Sequence, residues 1–346
     1  MIDVPAVLAG DRLALARLLS EIENDSVAGR QALNLLFPHT GRAHLIGITG
    51  PPGTGKSSLV NQLARHFRQD QGNGLPPRVA VAAVDPSSPF TGGAVLGDRI
   101  RMMDRSADPG VFIRSMATRG SLGGLARATA GVVQAFDAAG YAIILIETVG
   151  AGQAEVDIAR LAHTTVVVEA PGLGDDIQAI KAGILEAADI LVVNKADRPG
   201  VDNTERALRG MLKLAHPGPR VFRHHGRLES SKSLSSESDA NMRTDKQTSP
   251  AAVWIPPVLR TVATDGQGIV ELAAAIARHR AHLQQAGELA QRERARLRNE
   301  LDLRIQERLV HRWRTEVANG RYESMIDSIM KRELSPEQAA ARLVKD

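Results

Sequence analysis

An α/β fold, with a mostly parallel sheet flanked by helices, is what this sequence predicts, and three observations carry the expectation. Apolar runs recur at Leu45–Ile48, Arg78–Asp85, Val111–Ala117, Ala142–Ile146, Thr164–Glu169 and Ile190–Val193, continuous rather than alternating. Such runs mark strands buried on both faces, the condition of a parallel sheet covered by helices. Helix-length segments separate them, at 58–68 and 122–139. Several runs end in a polar residue, Asp85, Glu147, Glu169 or Asn194, where ligands bind in open α/β sheets.

The first run leads into Gly50-Pro51-Pro52-Gly53-Thr54-Gly55-Lys56-Ser57, an uninterrupted G-x-x-x-x-G-K-[ST]. Its glycines let the backbone curl so that successive N–H groups point inward at phosphate oxygens. The helix opening at Ser58 adds the positive end of its dipole. Lys56 is placed to reach the β- and γ-phosphates, and the Ser57 hydroxyl to ligate Mg²⁺. A nucleoside triphosphate is the expected ligand.

The 346 residues suit a core of about 200–250 with appendages. Residues 1–41 read as a helical N-terminal extension, 42–280 as the nucleotide domain and 281–346 as a C-terminal helical region. Aromatic residues make up 3% of the chain, too few for the stacking platforms of single-strand nucleic-acid binders, and the net charge of +4 demands no polyanionic partner. The lack of cysteine removes disulfides, thiolate metal sites and cysteine nucleophiles. No basic start precedes an apolar block, and no run approaches the ~20 residues that span a bilayer. No nucleic acid, no membrane and a cytoplasmic location are the expectations.

In chain order, Asp85 closes the Arg78–Asp85 run before Pro86-Ser87-Ser88-Pro89, as a metal-side acid or as a turn cap. Residues 90–101 occupy the place of a segment that senses the γ-phosphate. There Asp98 is a candidate for Mg²⁺ or its waters and Arg99 or Arg101 for phosphate, beside the plainer reading of surface charges. Glu147-Thr148-Val149-Gly150 has an acid at a strand end with a glycine three residues on. The acid can orient Mg²⁺ and the Gly150 N–H can report the γ-phosphate. Pro171 to Lys181 is a second mobile-loop candidate.

Asn194-Lys195-Ala196-Asp197 is an N-K-x-D element. Asp197 can accept from the guanine N1–H and 2-amino group, which adenine lacks, while Asn194 and the Lys195 stem support the base. GTP is therefore expected over ATP, with Val262, Ala263 and Thr264 in a loop beside the guanine. Residues 229–250 are polar and read as a flexible insertion. Leu289, Leu297, Leu301, Ile305 and Leu309 form a helical apolar stripe, for dimerisation or partner docking, or for packing back on the nucleotide domain.

Together these elements resemble the MeaB-type GTPases, also called ArgK-type, of the SIMIBI class of P-loop proteins. The most specific parts are Val84-Asp85-Pro86-Ser87-Ser88, Thr91-Gly92-Gly93 with Gly97-Asp98-Arg99, Glu147-Thr148-Val149-Gly150, and Gly174-Asp175-Asp176 leading to Lys181. The resemblance implies a homodimer with a C-terminal dimerisation arm. It also implies that GTP hydrolysis gates adenosylcobalamin delivery to a partner acyl-CoA mutase such as methylmalonyl-CoA mutase. The cobalamin belongs to the mutase, and an adenosyltransferase is a further candidate partner. Carried over by position, Lys56 and Ser57 bind phosphate and Mg²⁺, and Asp85, Asp98 and Glu147 form the metal-side acids. Gly172 to Lys181 then looks like the switch that senses the mutase, with Lys181 a candidate catalytic group. Two departures stand out: Val262-Ala263-Thr264 where Ser-Ala is usual, and the length of the 229–250 insertion.

The implied chemistry is in-line attack of water on the γ-phosphoryl. No glutamine stands beside Gly150, although Gln153 is near, so slow turnover by the isolated chain is expected, with Lys181, Arg99 and Arg119 as candidates for a stimulating group. Two alternatives stay open at this point, a metal-insertion GTPase of the nickel type and an adaptor that binds GTP without hydrolysing it.

Overall fold

The computed structural model describes residues 2–69, 75–85, 108–117, 124–148, 158–172, 187–215, 221–224, 227–230, 253–316 and 319–344. They form two compact units, Met1–Glu293 and Arg294–Asp346.

In the first unit, helices α1 (Val4–Leu8), α2 (Arg12–Glu23) and α3 (Val27–Leu36) precede strand β1 (His44–Thr49). Asp3, Asp11 and Ser26 cap the three helices, each side chain accepting a backbone N–H of the first turn. Helix α4 (Lys56–Phe67) follows the glycine loop, then β2 (Val79–Asp85), β3 (Val111–Ala117), α5 (Gly124–Ala138), β4 (Ile143–Thr148), β5 (Thr164–Glu169) and β6 (Ile190–Val193). Helix α6 (Val201–Ala215) leads to an antiparallel hairpin of β7 (Val221–His224) and β8 (Arg227–Ser230). Strand β9 (Val258–Arg260) and helix α7 (Ile269–Gln285) complete the unit, and α8 (Glu288–Glu316) begins in it.

Seven strands make one sheet in the order β3-β2-β4-β1-β5-β6-β9, every neighbouring pair parallel. The expected α/β architecture is therefore present, and the continuous apolar runs have the predicted cause. On one face Leu45, Ala82, Ile144 and Ile146 pack with Leu15, Leu18, Leu36 and Phe136 of α2, α3 and α5. On the other, Ile46, Ile48, Leu145 and Val166 pack with Leu59 and Leu63 of α4 and Leu272 and Ile276 of α7. The chain runs outward from β1 to β2 and β3, returns to β4, and crosses to β5. The glycine loop thus leaves the sheet beside the place where strand order reverses, the preferred ligand crevice of such sheets.

The hairpin at 221–230 is an element the sequence did not announce. Its second strand takes the first two residues of the expected 229–250 insertion, while 231–250 lie outside the described residues. Among the described residues no helix is long and apolar enough to cross a membrane.

At the amino-terminal edge of the sheet, opposite the loop, a buried polar network ties distant segments together. Asp189 accepts two hydrogen bonds from Arg292 of α8, both at 2.8 Å, and one from the Thr165 N–H at 2.8 Å. Its backbone carbonyl accepts from Trp254 Nε1 at 2.8 Å, and His279 Nε2 of α7 lies 3.2 Å from Oδ1. His279 Nδ1 and His44 Nε2 are each 2.9 Å from the Thr164 hydroxyl. Burial acts to raise Asp189, but bonds from His279 and Arg292, with their charges, hold its carboxyl below the usual range. Burial first, then the charges of Arg280, His163 and His279, pushes His44 down from 6.5 to about 3.

In the second unit, α8 continues and is joined by α9 (Asn319–Met330) and α10 (Pro336–Val344). Trp313 Nε1 donates to the Leu343 carbonyl at 2.9 Å, and its ring meets Tyr322 edge-on. A groove of about 710 Å³, lined by Leu309, Trp313, Tyr322, Ile326, Ala339 and Leu343, opens between these helices. Leu301, Ile305 and Leu309 are exposed, so this part of the stripe read from sequence is not spent on this unit's own core.

The network at the sheet edge makes an acid-lability prediction. The unfolded chain takes a proton on His44 below pH 6.5, whereas the folded chain resists it down to about 3. Stability should fall with pH across that window by at most about 1.4 kcal/mol per unit from this group. Asp189 adds a further loss as pH falls below the ordinary carboxylate range. Urea midpoints at pH 7, 6 and 5 should decline less steeply in His44→Gln, whose amide can still reach Thr164; parallel declines would refute the assignment.

Candidate functional site

The site is built at the carboxyl ends of β1, β4, β5 and β6. Gly50 leaves β1 at φ +137°, and a Cβ there would collide with the carbonyl oxygen of Val168 on β5. Only glycine lets the loop run this close to the neighbouring strand. Gly55 caps α4 at φ +91° with no side-chain cap, so the first-turn N–H groups of α4 face the loop rather than a capping residue. A Cβ on Gly55 would lie 2.5 Å from Asn194 Nδ2, which makes this glycine a packing requirement too.

Lys56 is buried, and its Nζ donates to the carbonyls of Gly50 and Pro51 at 2.8 Å each. The ammonium is thereby folded over the loop on which phosphates are expected. Thr54 donates its hydroxyl to the Pro51 carbonyl at 3.0 Å, bracing the same turn.

Ser57, in the first turn of α4, donates to Glu147 Oε1 at 2.5 Å. Glu147 is buried near the end of β4, whose register sets it beside Ile48 of β1. Two oxygens expected around Mg²⁺ are thus in contact, and a hydroxyl with a carboxylate is a donor set suited to a hard cation. Asp85 ends β2, paired with Ala117 of β3 and one residue beyond the pairing of Val84 with Thr148. Its backbone therefore stands at the same sheet edge, and its side chain lies outside the described residues. Asp98, Gly150, Lys181, Arg99, Arg101, Arg119 and Gln153 also fall outside them, as do both switch candidates apart from Pro171 and Gly172. Among the described residues no cluster of three or more His, Cys, Asp or Glu could hold a metal.

Asn194 is buried, and its amide joins two parts of the site. Nδ2 donates to the Thr54 carbonyl of the loop at 2.8 Å, while Oδ1 accepts from Thr261 Oγ1 at 3.0 Å and from the Ala263 N–H at 3.1 Å. A flipped amide would set its NH₂ against another N–H, so this orientation is the one the network permits. Lys195, at φ +57°, donates from Nζ to the Gly53 carbonyl at 2.6 Å, and its stem lies across the loop. Asp197 is exposed. Val262 and Ala263 are buried, and Thr264 is exposed at the turn. Thr261 was missed by sequence reasoning. Its N–H donates to the Val193 carbonyl at 3.0 Å, its own carbonyl accepts from Ala196 at 3.1 Å, and its hydroxyl fixes Asn194. The signal was a threonine interrupting the apolar run before Val262.

Residues 15–318 match the family described as methylmalonyl-CoA mutase-associated GTPase MeaB. The chain belongs to the MeaB family. A Pyrococcus abyssi relative is 43% identical over 337 residues, covering 97% of this chain and 93% of its own length. The mitochondrial methylmalonic aciduria type A homolog of Mus musculus is 30% identical over 357 residues, covering 98% and 77%. The GTPase ArgK of Escherichia coli is 38% identical over 192 residues, covering 54% and 56%. A crystal structure of a LAO/AO transport system kinase aligns over 99% of this chain and 95% of its own with a TM-score of 0.66 at 23% identity, a likeness of fold. The expected SIMIBI-type P-loop fold is therefore the fold of this MeaB chain, and its ligand is a guanine nucleotide.

Removing the Asn194 amide tests the brace. Asn194→Ala strands the Thr54 carbonyl, the Thr261 hydroxyl and the Ala263 N–H, and should weaken GDP binding on the order of 10- to 100-fold. Calorimetry would show this, and an affinity within about twofold of the parent would remove Asn194 from the site.

Proposed function

We propose that this chain binds GTP with Mg²⁺ and hydrolyses it, and that turnover gates adenosylcobalamin loading and protection in an acyl-CoA mutase such as methylmalonyl-CoA mutase. The observation that carries the reading is the Ser57–Glu147 contact at the mouth of the glycine loop, in a chain of the MeaB family.

On this reading the loop N–H groups, the α4 amino terminus and Lys56 hold the triphosphate. Ser57 and Glu147, with Asp85 and Asp98, would hold Mg²⁺, which supplies charge neutralisation on the phosphates when bound. Lys56 stands to offset charge that develops on the bridging and terminal oxygens. Asn194 and Lys195 position the base, Asp197 reads its N1–H and 2-amino group, and Val262, Ala263 and Thr264 line the guanine side. Gly150 reports the γ-phosphate and Lys181 is the group through which the partner stimulates the reaction. The helices of 281–346, with their exposed Leu301, Leu309 and Met330, support a homodimer. The mutase and a cobalamin adenosyltransferase are the partners, cytoplasm is the location, and residues 1–41, 42–280 and 281–346 are the functional divisions.

Two measurements test this reading. Adding the mutase should raise GTP turnover by a factor on the order of 10³ or more, the range seen when a missing charged group completes a GTPase site. A rate that the mutase leaves unchanged would overturn gating. Separately, Asp197→Asn should lose GTP affinity and gain xanthine nucleotide, because the amide donates toward a carbonyl where guanine has an amino group. Unchanged GTP binding would end the role given to Asp197.

A further inference from the structure

Thr49 and Thr148 are the last residues of β1 and β4, and both side chains are fully buried. The Thr148 hydroxyl donates to Thr49 Oγ1 at 3.1 Å. The residue pairing of β1 with β4 ends at Ile48 and Glu147, so this side-chain bond carries the fastening one residue further toward the loop. On its other side Thr148 pairs with Val84 of β2, the residue before Asp85. Thr148 thus sits between two neighbouring strand ends, with Thr49, the residue before Gly50, on one side and Val84, the residue before Asp85, on the other.

Successive strand side chains point to opposite faces, so Thr148 points away from Glu147 and from Ser57. Its near neighbours on that face, Ile146 and Val84, are aliphatic members of the core. Two valines would fill the same volume there without burying hydroxyls, which lose hydration on folding and, among the described residues, are bonded to each other. What the hydroxyl pair adds over valines is direction, a fixed spacing between the residue before Gly50 and the residue after Glu147.

We infer that Thr148, acting through Thr49, is a positioning residue for phosphoryl transfer, holding the end of β4 in register with the glycine loop so that Glu147 meets Ser57. Its role is positional, exerted through the strand end rather than on the reacting atoms. The inference rests on the GTPase reading of the same site, but fails separately from it. Gating by the mutase is decided by adding the mutase, whereas positioning is decided on the chain alone.

The experiment uses the full chain as Thr148→Val, Thr148→Ser, Thr49→Val and the Thr49→Val/Thr148→Val pair. It measures single-turnover GTP hydrolysis with protein in excess, GDP affinity by calorimetry, and thermal unfolding. Loss of one buried hydrogen bond from the transition state should slow hydrolysis by Thr148→Val about 3- to 10-fold. GDP affinity should stay within about twofold of the parent, and Thr148→Ser should recover most of the rate. The double variant should be no slower than Thr148→Val, since the bond is already gone. Thr49→Val reaches the same bond from its other end, so misfolding of one variant leaves the other to decide. An unchanged rate in the valine variants, an equal loss in Thr148→Ser, or single losses that multiply in the double variant would each overturn the inference.

Discussion

One buried amide holds the two halves of the nucleotide site at a fixed separation. Asn194 spends both ends of its side chain on backbone or hydroxyl partners, the Thr54 carbonyl on one side and Thr261 with Ala263 on the other. The glycine loop would recognise any phosphate chain and the 194–197 turn only a base. Joined through one residue, they select a ligand with both parts at the right distance. The arrangement works because Gly55 has no Cβ to occupy the place of the amide. A residue usually discussed for base recognition is, in this geometry, first a structural tie, and its absence would leave three buried polar groups without their partner.

The sheet supplies what such a tie needs, a rigid base. Its strands are locked on both faces by aliphatic side chains, and interiors at crystal-like density shift little. At the opposite edge, Asp189 and Arg292 secure the root of α8, while Trp254 returns the chain that precedes β9. Buried ion pairs of this kind add little net stability, because desolvation offsets attraction. Their consequence here is geometric. A carboxylate with bidentate arginine, backbone N–H and imidazole partners has one arrangement, so β5, β6, α7 and the first turns of α8 are set in a single relation.

The fold was legible because its signals were local and redundant. Strands β1 to β6 each carried a run of β-branched and aliphatic residues, and the loop motif fixed where β1 ends and α4 begins. The 194–197 element and Glu147 were legible for the same reason, as polar residues placed where an apolar run stops. The partners were not legible. Nothing in the spacing of Asn194 and Thr54, some 140 residues apart, announces a 2.8 Å bond, and Thr261 looked like an ordinary strand residue. Asp189 and Arg292 belong to segments whose helical or strand pattern explains them without a contact. Long-range polar pairing depends on register between elements, which sequence period determines for faces but not for neighbours.

That difference bears on how the site turns binding into turnover. Affinity for phosphate can be assembled from groups within one short segment, since loop, lysine and helix end are consecutive. On the proposed reading, hydrolysis needs Glu147, which arrives on β4, to stand against Ser57 on α4. Mispositioning is costly in phosphoryl transfer, where the protein contributes geometry and charge rather than covalent chemistry. Backbone pairing between β1 and β4 carries the register as far as Ile48 and Glu147 and then stops. The contacts that finish the alignment are side-chain bonds at the strand ends, short, buried and shared between elements far apart in the chain. On the proposed reading, the recognition of GTP is written in motifs, and the setting of the oxygens around its phosphates in the sheet that carries them.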